Sequence, residues 1–142
     1  MYAVQAPPLA GIQHVGLTVC NVETSEAWYG RVLGLRRLFV EPHPGGSGGY
    51  AVVLGAQGVG INVGLDHHPA NQGESFDPTR TGLDHVCFQV DSHAVLQEWT
   101  EHLDREGVSH SGITPVDIAG MHFGVVNFCD PDGVALELIA IS

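Results

Sequence analysis

The chain contains no lysine. Its five basic side chains are all arginine, Arg31, Arg36, Arg37, Arg80 and Arg105, against sixteen acids, so the formal net charge is -11. A surface of that sign repels phosphate backbones and anionic bilayers, which argues against nucleic acid or a membrane surface as partner. It also disfavours strongly anionic substrates unless an arginine lines their pocket. Long apolar runs are missing too: the longest are strand-length, too short for a membrane-spanning helix. The first ten residues lack a charged start and a long apolar stretch, so no signal peptide is expected and a cytoplasmic protein is. Cysteine is scarce. Cys20, Cys87 and Cys129 are odd in number, lie in strand-like sequence and lack zinc-ribbon spacing, so buried thiols are expected.

What is present is a repeat. Gly11-Ile12-Gln13-His14-Val15-Gly16-Leu17-Thr18-Val19 and Gly82-Leu83-Asp84-His85-Val86-Cys87-Phe88-Gln89-Val90 share Gly, aliphatic, polar, His, Val and the same closing Val. The two histidines are 71 residues apart, half of the 142-residue length. This suggests a duplicated chain whose halves are related by a pseudo-twofold axis. The length suits one domain, or two very small modules sharing one core. With 44% hydrophobic residues and mean hydropathy +0.11, the core can be sizeable.

Each half reads as strand, helix and further strands. Alternation at Val15, Leu17 and Val19, and at Val86, Phe88 and Val90, has the period of a half-buried strand. A helix is predicted from about Thr24 to Leu33, capped by Thr24 or Ser25 and ended by Gly34. A second runs from about Ser92 to Glu106, with Val95, Leu96, Trp99 and Leu103 on one face and Gly107 at its end. Trp28 and Trp99 occupy matching helix positions and read as core. Strands are predicted at about Tyr50 to Leu54, Gly60 to Leu65, His122 to Phe128 and Val134 to Ile141. Asp130-Pro131-Asp132-Gly133 is a tight turn. Pro42 to Gly49 is a Gly/Pro-rich hairpin or lid that lacks the lysine and following helix of a P-loop. The polar stretch His67 to Thr81 is the connection between halves, with His67 and His68 read as solvated loop.

Side-chain parity then sorts the faces. If the apolar positions pack under the helices, His14 and His85 point to the opposite, concave face. By the same logic Glu137 lies opposite Val134, Leu136 and Leu138, and Asn62 opposite Ile61, Val63 and Leu65. Asn62 and Glu137 stand four residues after Gly58 and Gly133, so they read as matched positions of the repeat. Two imidazoles and one carboxylate suit Fe(II), Mn(II), Ni(II), Co(II) or Zn(II), with positions left for substrate or water. A single strand histidine is usually structural. Two at equivalent repeat positions, with an inward glutamate, are harder to explain that way.

Gly-x-x-His-Val at each module start, Ala27-Trp28-Tyr29-x-x-Val32-Leu33-Gly34-Leu35, and Asp130-Pro131-Asp132-Gly133-x-x-x-Glu137-Leu138 resemble the vicinal oxygen chelate superfamily of glyoxalases, bleomycin-resistance proteins and extradiol dioxygenases. The resemblance spans about residues 10 to 141. It implies an α+β fold of two βαβββ modules, here residues 1–75 with the linker and 76–142, whose sheets form a cupped cavity often completed by a homodimer. It places the family's metal positions on His14, Asn62, His85 and Glu137. Glyoxalase I enzymes carry a carboxylate ligand and base where Asn62 stands, and an amide cannot accept a carbon-bound proton. Methylmalonyl-CoA epimerases carry an amide there, but their catalytic glutamate has no equivalent in Tyr50 to Leu54. Fosfomycin transferases use the His, His, Glu set, but the basic residues they need after Glu137 are lacking. Extradiol dioxygenases keep the Pro131-x-Gly133-x-x-x-Glu137 pattern, with Asn127 where their tyrosine is expected and His122 displaced from their upstream histidine. His122 and Asn127 are therefore the candidate catalytic residues, and Phe123 and Val125 make the cavity partly apolar. Two functions follow: a metal-dependent lyase, isomerase or dioxygenase acting on an oxygen-bearing small molecule, or a non-catalytic protein that sequesters a natural product.

Overall fold

The computed structural model describes residues 6–141. In chain order it contains β1 (His14–Thr18), α1 (Val22–Leu33), β2 (Arg36–Pro42), β3 (Tyr50–Gly55), β4 (Asn62–His67), β5 (Val86–Gln89), α2 (His93–Arg105), β6 (Thr114–Ile118), β7 (Met121–Cys129) and β8 (Ala135–Ile141). They form two four-stranded sheets, ordered β1-β4-β3-β2 and β5-β8-β7-β6. In each, the first strand runs parallel to the last and the other neighbours are antiparallel. This is the α+β architecture of two similar βαβββ modules that the resemblance implied.

The helix ends follow from local chemistry. The side chain of Asn21, not Thr24 or Ser25, caps α1, accepting from the Thr24 backbone N–H at 2.9 Å. The helix therefore starts two residues earlier than its apolar spacing indicated, and Ser25 is buried inside it. Gly34 ends it in the left-handed conformation, φ 71°. Ser92 caps α2 through the Val95 N–H.

Strands β2 and β6 carry no clean alternation. They hold Arg36, Arg37, Glu41 and Pro42, and Pro115 and Asp117, and each lies at a sheet edge, where a missing N–H costs least. A bulge between Arg37 and Phe39 further breaks the pattern of β2.

The apolar parity holds. Leu17, Val19, Val63 and Leu65 of the first module and Val126, Leu136 and Leu138 of the second are all buried in one connected cluster with Tyr29, Val32, Leu96 and Leu103 of the helices. Trp28 and Trp99 pack against this core, partly buried. Both modules thus bury their helix faces together. Polar ties join them: the Tyr29 hydroxyl donates to Asp130 Oδ2 at 2.7 Å, Arg31 meets Glu106 at 2.7 Å, and His102 Nε2 bonds the Val32 carbonyl at 2.8 Å.

The three cysteines are not buried. All are solvent-exposed. Cys87 and Cys129 share the parity of Glu137 and Asn127, so they lie on the sheet face away from the helices, and Cys20 follows the end of β1. Among the described residues no helix is long and apolar enough to cross a membrane.

Candidate functional site

The repeated histidines are held alike. His14 Nδ1 bonds the Gln13 side-chain oxygen at 2.5 Å, and His85 Nδ1 bonds Asp84 Oδ1 at 2.7 Å. In each case the preceding residue fixes the ring and leaves Nε2 open, the arrangement a metal-ligating imidazole needs. The Asp84 hydrogen bond, with help from Glu137, raises the pKa of His85 above its ordinary value. Glu137 answers it directly: His85 Nε2 and Glu137 Oε1 are 3.7 Å apart.

Cross-strand register surrounds this pair with polar groups. Cys87 on β5 and Asn127 on β7 both stand level with Glu137. Although the residue is exposed, partial desolvation of its thiol, and then the charge of Glu137, push Cys87 up to about 11. Cys20 is likewise pushed up to about 11, chiefly by its hydrogen bond to Asp132. Both thiols are expected to alkylate roughly tenfold or more slowly than an unperturbed cysteine at pH near 8, because the thiolate is the nucleophile. Iodoacetamide labelling with peptide mapping measures this; rapid labelling of Cys87 would contradict its placement beside Glu137.

His14 lies elsewhere. It lines a cavity of about 240 Å³ with Glu41, His43, Val53, Gly64 and Asp66, all from the first module. Among the described residues no three His, Cys, Asp or Glu side chains come within reach of one metal ion. Within one chain, His85 and Glu137 thus stand together and His14 stands apart from them.

Asn62 is level with His14, but its Oδ1 leans over Gly55, a strand away from β1, where a Cβ on that glycine would sit only 2.7 Å from it. Its match with Glu137 does not hold. Val15 pairs with Val63 and Val86 with Leu136, so Glu137 corresponds to Gly64 and Asn62 to Ala135. Counting from Gly58 and Gly133 misaligned the two because the turns before β4 and β8 differ by two residues.

His122 does not join the site. By strand alternation it takes the helix-side parity of β7, opposite to Asn127, and it bonds Asp117 across the exposed β6–β7 hairpin. Asn127 does face Glu137 across the register, and its backbone N–H donates to Ser111 Oγ. His67 is not a loop residue, since it ends β4 with its ring 5.1 Å from Tyr50; His68 is an exposed loop residue, its ring centre 4.7 Å from that of His43. Asp66 and His43 went unnoticed in the sequence. Continuing the Asn62, Gly64 parity by one step finds Asp66; His43 sits in a loop without period and gives no signal.

The model of the Glyoxalase/Bleomycin resistance protein/Dioxygenase superfamily matches residues 11–138, and the chain belongs to that family. Among solved structures it is similar to a glyoxylase/bleomycin resistance protein/dioxygenase domain from Frankia sp. EAN1pec, 27% identical, TM-score 0.81, covering 95% of this chain and 100% of that one. A glyoxalase family protein from Enterococcus faecalis shares the fold at 23% identity and TM-score 0.73, over 92% of this chain and 98% of that one. TnmS3, an antibiotic binding protein from Streptomyces sp. CB03234, does so at 18% identity and TM-score 0.65, over 96% and 100%. A comparison with curated proteins returns no match.

Proposed function

We propose that the protein is a divalent-metal-dependent enzyme acting on an oxygen-bearing small molecule, with its site assembled between two copies of the chain. The convergence of His85 Nε2 and Glu137 Oε1, 3.7 Å apart, carries this reading. Those atoms fit two ligands of one Fe, Mn, Ni, Co or Zn ion. His14 of a second copy completes the set, with Asn62 as at most a weak ligand beside it. When bound, such an ion supplies Lewis-acid polarisation of a substrate oxygen. Glu137 and His85 would anchor it, Asn127 would offer its amide to the substrate from the facing strand, and Phe123 and Val125 would exclude water from one side. The exposed thiols suit the reducing cytoplasm, where this reading has the protein act.

The homodimer is supported by what each chain leaves uncovered. Leu38, Phe39, Val40, Ile118, Met121 and Ile141 are each between 46% and 54% exposed. By register Phe39 is on the His14 face, and Met121 and Ile141 are on the Glu137 face. Sedimentation is expected to give twice the 15.1 kDa chain mass, and Phe39→Asp to shift it toward monomer. A monomer at micromolar concentration would remove the composite site. Elemental analysis of purified protein is expected to give about one divalent ion per chain.

The second reading, sequestration of an apolar natural product, is favoured by the fold shared with an antibiotic binding protein and by the exposed apolar rows. Absence of metal after purification, together with tight binding of an aromatic antibiotic, would put it first.

A further inference from the structure

We infer that Asp66 is the carboxylate that the first module contributes, with His14, to a divalent cation, in the role Glu137 has beside His85 in the second. This rests on the metal reading above and adds a residue to it.

The internal repeat shows what is missing. Glu137 corresponds by register to Gly64, so the first module has no side chain at the carboxylate position. Its neighbour on β1, level with it, is Gly16. Two facing glycines leave a bare patch of sheet immediately beside the rung of His14.

Asp66 fills that patch. It is the next residue of β4 on the same face. A Cβ built on Gly64 would lie 3.3 Å from Asp66 Oδ2, and one on Gly16 only 2.9 Å. The carboxylate therefore leans back over the two glycines, into the space a residue 64 side chain would occupy. It shares the 240 Å³ cavity with His14.

The carboxylate is also held in place. His43 Nε2 bonds Asp66 Oδ1 at 2.8 Å, with the two side chains 20% and 22% exposed. The His43 ring lies against Gly49, where a Cβ would be 2.4 Å from Nδ1, and its other neighbour is the His68 ring. One oxygen is thus committed to His43, and among the described residues Oδ2 has no hydrogen-bond partner. A carboxylate oriented by a histidine through one oxygen, with the other left open in a cavity that a second imidazole also lines, is a usual support for a metal ligand. Joined to His85 and Glu137 of a second copy, it would make two imidazoles and two carboxylates.

Calorimetric titration of the full-length protein with Co(II) tests this. Asp66→Asn is expected to weaken binding at least about tenfold. A merely structural role for the His43–Asp66 pair would also predict some loss, so the deciding arm is relocation. With Asp66→Ala, a Cβ at residue 64 meets only ordinary contacts, Gly16 Cα at 3.6 Å and Val15 O at 3.7 Å. Gly64→Glu combined with Asp66→Ala is therefore expected to regain affinity lost in Asp66→Ala alone. Wild-type affinity in Asp66→Asn, or a folded double variant no tighter than Asp66→Ala, overturns the inference. Glu137→Gln separates the two levels. If it weakens Co(II) binding and Asp66→Asn does not, only Asp66 is misassigned. If the wild-type protein binds no Co(II), the metal reading falls and this inference with it.

Discussion

Mixing the His14→Ala and His85→Ala proteins restores Co(II) binding that neither has alone, to about a quarter of the wild-type sites, if the site spans two copies of the chain. The argument is geometric. His14 shares its cavity with first-module residues only, and the second-module pair His85 and Glu137 does not reach it within one chain. After unfolding and refolding together, about half of the dimers contain one of each variant. In such a hybrid, one site collects both lesions and the other collects neither. A site built within each chain has no such route, because every chain in the mixture carries one lesion. Calorimetry on the refolded mixture, against each variant refolded alone, reads the difference. Recovery at background level would place all ligands in one chain or remove them from the site.

The largest stability effect is expected at Asp130. The residue is 6% exposed, and its carboxyl accepts from the Tyr29 hydroxyl at 2.7 Å and from the N–H groups of Asp132 and Val134 at 2.8 and 2.9 Å. One side chain thereby shapes the β7–β8 turn and fastens it to α1 of the other module. Asp130→Ala strands a buried hydroxyl and two N–H groups and should cost about 3 kcal/mol, seen in urea titration. Tyr29→Phe removes a single donor and should cost about 1.5 kcal/mol, and the two losses should not add. A loss below about 0.5 kcal/mol for Asp130→Ala, the range of ordinary surface changes, would contradict the account.

The pH dependence has a definite sign. Burial raises the Asp130 pKa above its ordinary value, outweighing the Tyr29 and backbone hydrogen bonds that lower it. The folded state thus favours the protonated acid. This contribution is present in full below the ordinary carboxylate range and is lost as pH rises through the raised folded value. The stability difference between wild type and Asp130→Asn should therefore move against wild type from acid toward neutral pH. Glu26 and Asp77, whose pKa values are lowered by their hydrogen bonds, act in the opposite sense in both proteins and cancel in that difference.

The fold was legible because its signals are local. Val15, Leu17 and Val19 alternate, Gly34 and Gly107 end helices, and the opening strand recurs intact. Strands β2 and β6 were not legible: both are largely exposed and carry charged residues, so no buried face imposes a period on them. Half of the candidate site followed from parity alone, since burial of Leu136 and Leu138 forces Glu137 to the other face. The rest failed where sequence spacing stood in for pairing. Asn62 and Glu137 are equidistant from a glycine yet two residues apart in register. His122 is near Asn127 in sequence but an odd number of residues away, which turns it to the other face. The contact between His43 and Asp66 joins a loop to a strand, and no periodicity reports on such a meeting.

The residue before each repeated histidine carries a further consequence. Behind His14 stands a neutral amide, Gln13, and behind His85 a carboxylate, Asp84. An anion at Nδ1 makes the opposite nitrogen a stronger electron donor than an amide does. Two rings copied from one ancestor are thereby unequal Lewis bases. The repeat keeps the imidazoles while their supports differ, so the two histidines are made unequal by a side chain one position upstream, besides the exchange of Glu137 for Gly64 on the neighbouring strand.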